Sequence, residues 1–173
     1  MSKRRWAAAW LAGPLAAAAL ICSPVMAALD RASAPLDGFQ MMPPMFTPAK
    51  GEFIAEIDRD FEVIHYELSY SELRSTIMQA HLRIGQPGVN GGVSVVLCTN
   101  LNNAPAGTPV CPKGPYTLSG TIEWFNVIDV PNQGIAEGEL SKVIQAIDAG
   151  LAYVTVMTSK FPRGEIRGQI SLR

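Results

Sequence analysis

The sequence predicts an all-β fold: an antiparallel β-sandwich, immunoglobulin-like or superoxide-dismutase-like in its Greek-key order, with one short helix near residues 140–148. Three observations carry this. Past Gly51, apolar residues recur at every second position through several long stretches. A single segment, "GELSKVIQAIDAG", carries a helical period instead. Glycine, proline and asparagine collect between the alternating stretches, where turns are needed.

In chain order, "FEVIHYELSY" puts Ile64, Tyr66, Leu68 and Tyr70 on one face and His65, Glu67 and Ser69 on the other. "TIMQAHLRIG" follows, with Met78, Ala80, Leu82 and Ile84 inward and Gln79, His81 and Arg83 outward. Such alternation marks half-buried antiparallel strands. "GQPGVNGG" is a loop by composition, "VSVVLC" a short apolar strand, and "YTLSGTIEWF" a strand rich in threonine and aromatics. Leu140, Val143, Ile144 and Ile147 then fall at i, i+3, i+4 and i+7, one face of a helix that Gly150 is placed to end. "LAYVTVMTS" returns to alternation, with Val154 and Val156 inward and Tyr153, Thr155 and Met157 outward. The closing "EIRGQISL" puts Ile166, Ile170 and Leu172 on the core side and Glu165, Arg167, Gln169 and Ser171 opposite.

The N-terminus reads as a leader. Lys3, Arg4 and Arg5 precede a short apolar run from Ala7 to Ile21, and Val25-Met26-Ala27 forms a small-residue cleavage site. The run is shorter than the ~20 residues that span a bilayer. The expectation is a signal peptide over 1–27 and one domain over 28–173, periplasmic or secreted, with no stable membrane anchor after cleavage. Prolines and methionines in 28–50, "MMPPMFTPAKG" among them, predict an edge strand or irregular lead-in there.

Cleavage removes three of the fourteen Lys and Arg and none of the fifteen acids, leaving 11 basic against 15 acidic side chains and a net charge of −4. That balance argues against a nucleic-acid partner and leaves no polybasic run for anionic lipid. Cys98 and Cys111 remain and read as a disulfide in an oxidising compartment.

"AGLAYVTVMTSKFPRGEIRGQI" resembles the closing motif of the chordin-type (CHRD) domain, whose members typically end in Tyr-Val-Asn-Val-His-Thr and then Pro-x-Gly-Glu-Ile-Arg-Gly-Gln. "LDGFQMMPPMFTPAKGEF" resembles the family's opening, which commonly carries Glu-Val-Pro-Pro. "QAHLRIGQPGVNGGVSVVLC" resembles its central His-x-His-Gly segment. The resemblance covers roughly Leu36 to Leu172. It departs at Arg83, where a second histidine is usual, at Thr155 and Met157, where Asn and His are usual, and at Met41 or Met42 in place of Glu.

The resemblance implies an exported, non-enzymatic module that binds a partner or serves a structural role in the cell envelope. Animal members occur in proteins that bind secreted growth factors; the partner expected here is an extracytoplasmic protein. The residues expected at a binding face are His81, Arg83, Glu165 and Arg167. An alternative is a metal-dependent, Cu/Zn superoxide-dismutase-like redox protein. The residues argue against that metal, because His81 has Gln79 and Arg83 beside it and a cation site needs three or four converging ligands. No catalytic residue and no cofactor is expected, since the chain lacks a G-x-S-x-G elbow and a phosphate-binding loop. Glu165 and Arg167 are also expected to take part in cross-strand charge pairing.

Overall fold

The computed structural model describes residues 29–173, so the expected leader lies outside the described residues. Nine strands and one helix follow in order: β1 (Asp30–Asp37), β2 (Lys50–Asp58), β3 (Val63–Ser71), β4 (Ile77–Ile84), β5 (Gly92–Thr99), β6 (Tyr116–Ile122), α1 (Leu140–Asp148), β7 (Ala152–Thr158), β8 (Ile166–Gln169) and β9 (Ser171–Leu172). Every pairing is antiparallel, in the order β5-β4-β7-β8-β1-β2-β3-β6, with β9 also on β1. The predicted all-β antiparallel fold and the helix at 140–148 are both present.

The sheet curls until its two ends approach. The Tyr66 hydroxyl on β3 donates to the Leu97 carbonyl on β5 at 2.8 Å, and Val127, just past β6, bridges to Val95. The result is a sandwich closed almost into a barrel. Its core takes the inward rows of both halves, including Phe53, Ile64, Tyr66 and Leu68 from one and Leu82, Val154, Val156 and Ile166 from the other. The apolar stripe of α1 (Leu140, Val143, Ile144, Ile147) joins the same core. Cys98 and Cys111 are disulfide-bonded and tie the loop after β5 back to that strand.

Three local expectations differ. Residues 30–37 form β1, an interior strand flanked by β2 on one side and by β8 and β9 on the other, in place of an edge strand or irregular lead-in. Proline is tolerated at Pro35, and the irregular stretch shrinks to the loop 38–49. Second, β6 ends at Ile122; Trp124–Asn126 form a 3₁₀ turn, and both aromatics there are exposed. Third, Leu172 is 43% exposed where a core position was expected. The Ile170 N–H donates to the carbonyl of Ala152, the first residue of β7, so beyond it β9 continues beside β1 alone and Leu172 falls at the margin.

Candidate functional site

Register places the residues picked out from the sequence in rows. His81 on β4 faces Thr155 on β7, Thr155 faces Arg167 on β8, and Arg167 faces Asp37 on β1. Beside it runs a second row of Arg83, Tyr153 and Gln169. Directly opposed residues in an antiparallel ladder share a face. These rows therefore occupy one outer face, as alternation predicted.

That face is not open to solvent. His81 is 6% exposed and Arg167 1%. The loop 85–91 folds back over it, gripped by side chains from beneath. The Arg167 guanidinium donates to the Val89 carbonyl at 3.0 Å, to the Gln86 carbonyl at 2.9 Å and to Gln169 Oε1 at 3.1 Å. Its Cζ lies 3.6 Å from the centroid of the Tyr153 ring, a cation–π contact. Tyr153 in turn accepts the Gly91 N–H at 2.8 Å, and Arg83 donates from Nε and Nη2 to the Gly91 carbonyl at 3.0 and 2.8 Å. Gln169 adds donations to the carbonyls of Gly85, Gly150 and Ala152.

Glu165, just ahead of β8, is fully buried. One carboxylate oxygen accepts the Thr47 hydroxyl at 2.7 Å and the Arg74 N–H at 2.9 Å; the other accepts the Thr158 hydroxyl at 2.8 Å. One side chain thus fastens loops 38–49 and 72–76 to the end of β7. The expected charge pairing of Glu165 and Arg167 with neighbours does not form, because both are engaged by neutral groups. Gly164 enters this strand at φ 128°, and a Cβ there would fall 2.5 Å from the Met41 methyl. At Gly168 a Cβ would meet the Pro35 carbonyl oxygen at 2.5 Å, so glycine lets β8 approach β1.

Electrostatics agree with this packing. Burial first, and the nearby Arg83 charge second, hold His81 down at about 4, so its imidazole is neutral at pH 7. Its Nδ1 and the Thr155 hydroxyl, on facing residues, are buried without hydrogen-bond partners. Burial likewise pulls the Arg167 pKa below the usual guanidinium range, with Arg83 adding to the effect, yet an arginine stays charged in a protein. His65 lies elsewhere, on β3, against Thr121 of β6. Among the described residues no group of three His, Cys, Asp or Glu side chains converges as a metal site.

The structure therefore brings His81, Arg83 and Arg167 together and places Glu165 at the end of the same β8 segment. It adds Tyr153, Gln169, Thr47 and Thr158. Tyr153 and Gln169 were legible as outward residues; their role as loop clamps was not. A groove of about 670 Å³ lies on the other half of the sheet, lined by Arg31, Glu56, His65, Glu67, Thr121 and Arg173. It includes none of the four residues expected at a binding face, His81, Arg83, Glu165 and Arg167.

Comparison with protein-family models places the CHRD domain over residues 32–170. The chain belongs to the CHRD domain family. No curated protein and no solved structure matches it. In this CHRD domain the closing motif "GEIRGQI" is an interior brace: Glu165, Arg167 and Gln169 each hold loops, and Ile166 and Ile170 enter the core.

Proposed function

We propose that this CHRD domain is an exported, non-enzymatic binding module of the cell envelope, whose contact surface is the set of loops braced by Glu165, Arg83 and Arg167. The observation that carries this reading is that Glu165 and Arg167 are buried and Arg83 half-buried, with their hydrogen bonds spent on loops 38–49 and 85–91. Their donors and acceptors are turned to loop backbone and hydroxyls, so what a partner meets is the loop exterior. That exterior is apolar: Phe39 is 61% exposed and Phe46 86%, their rings in edge contact at 5.6 Å, with Met42 and Val89 exposed nearby. Isolated exposed apolar residues are ordinary, but a contiguous group is the mark of an interaction site. Export is supported by the basic and apolar leader pattern of residues 1–27.

The superoxide-dismutase-like alternative has nothing to rest on, since the two histidines sit on different halves of the sheet and His81 stands beside Arg83. Fractionation of producing cells, with intact mass of the recovered protein, tests the reading. An N-terminus at Ala28 in the extracytoplasmic fraction is expected. A protein retained in the cytosol with residues 1–27 still attached would overturn it.

A further inference from the structure

Antiparallel topology collects four connections at one end of the sandwich: loops 38–49, 72–76, 100–115 and 159–165. These loops are stitched together. Glu165 holds Thr47 and Arg74, the Lys160 N–H donates to Ser75 Oγ, and Lys113 and Pro115 line a common hollow with Glu72, Leu73 and Ser75. The charges they carry are one-sided. Arg74, Lys113, Lys160 and Arg163 are exposed in them against one exposed acid, Glu72, and Lys50 is exposed just beyond, opposite the half-buried Asp37. The opposite end is acidic: Asp30, Asp58, Asp60, Glu62 and Asp148 surround Arg59, which pairs with Asp30 and Asp148. A chain with excess negative charge is thus polarised by its fold, its basic end also bearing exposed Phe39, Met42 and Phe46.

Cations beside exposed aromatic and thioether side chains are the combination that suits an anionic bilayer. The cations meet lipid headgroups, and the apolar side chains enter the acyl boundary. A soluble polyanion would use the cations and leave Phe39 and Phe46 idle. We infer that this end docks peripherally on an anionic lipid surface, through Lys160, Arg163 and their neighbouring cations and through Phe39 and Phe46. The inference rests on reading loop 38–49 as part of a contact surface, and deepens that reading.

The test is sedimentation with vesicles of phosphatidylcholine alone or with a third phosphatidylglycerol. It uses protein as recovered from producing cells, its N-terminus established by intact mass. Binding to the anionic vesicles, weakening steeply with added salt, is expected. Lys160→Glu with Arg163→Glu should weaken partitioning at least about 20-fold, at roughly fivefold per charge removed. Phe39→Ser with Phe46→Ser should weaken it about tenfold or more. Circular dichroism and thermal melts confirm that each variant is folded, all four positions being exposed. Absence of binding to anionic vesicles at low salt overturns the inference, as does binding indifferent to the charge reversals. Capture by heparin at equal strength with or without Phe39 and Phe46, with no vesicle binding, would make the end a polyanion site and overturn it too. None of these outcomes bears on export, which is read from the N-terminus and the cell fraction.

Discussion

Glu165 and Arg167, two residues apart at the start of the last long strand and both buried, do not pair with one another. The carboxylate accepts from Thr47, Arg74 and Thr158, and the guanidinium donates to Val89, Gln86 and Gln169. A charge buried without a counter-ion is costly unless its hydrogen-bonding capacity is met. Here loop backbone and hydroxyls meet it. Each charge therefore depends on a loop being in place, and each loop on the charge.

Removing either charge should unfasten its loops. Arg167→Ala leaves the Val89 and Gln86 carbonyls without their donor and strips the packing on Tyr153. The expected loss is about 2–4 kcal/mol of unfolding free energy in urea titrations. Glu165→Gln keeps the shape but puts an amide where two oxygens accept, and should cost about 1–2 kcal/mol.

Stability should depend on pH through His81. Its folded pKa is lowered to about 4 from an unfolded value of 6.5, so the unfolded chain binds the proton first as pH falls. The contribution is fully present above 6.5 and is lost between about 6.5 and about 4, by on the order of 3 kcal/mol at most. Unfolding midpoints of wild type and His81→Leu, compared from pH 7 to pH 4.5, should diverge in that window. Parallel curves would contradict the burial of a neutral imidazole.

The seam between the sheet ends depends on Tyr66. Burial lifts its hydroxyl to about 12, and it spans from β3 to the Leu97 carbonyl. It passes beneath Gly120, where a Cβ would lie 2.5 Å from the Tyr66 oxygen. Tyr66→Phe should cost about 1 kcal/mol, and Gly120→Ala about 1–3 kcal/mol from overpacking. Denaturant midpoints measure both.

The Cys98–Cys111 bond closes a loop of sequence separation 13 beside that seam. Cys98→Ser with Cys111→Ser should lower stability by about 3 kcal/mol on the chain-entropy account. Reduction of the wild type should bring its thermal midpoint to that of the double variant.

Much of the fold was legible in the residues. Ile64, Tyr66, Leu68 and Tyr70 alternate into the core as predicted, and the stripe from Leu140 to Ile147 forms the predicted α-helix. What alternation cannot report is what lies over the other side of a strand. His81 and Arg167 are outward from the sheet yet buried, and Arg83 half-buried, because loop 85–91 folds back over that face, and side-chain period carries no information about a loop's path. The charge polarity escaped for a related reason: Lys50, Lys113 and Lys160 are far apart in sequence, and only antiparallel connections bring them to one end. Leu172 keeps the core phase, but β7 begins at Ala152, opposite Ile170, and leaves it at the margin.

The closing motif of this chain is a brace for loops. Native-state hydrogen exchange of wild type against Arg167→Lys tests it most directly, since lysine keeps the charge but lacks the planar fork. Faster exchange confined to residues 85–91, with the Gly91 amide that Tyr153 accepts among the most affected, is the predicted result. Unchanged protection across that loop, with stability also unchanged, would contradict the account.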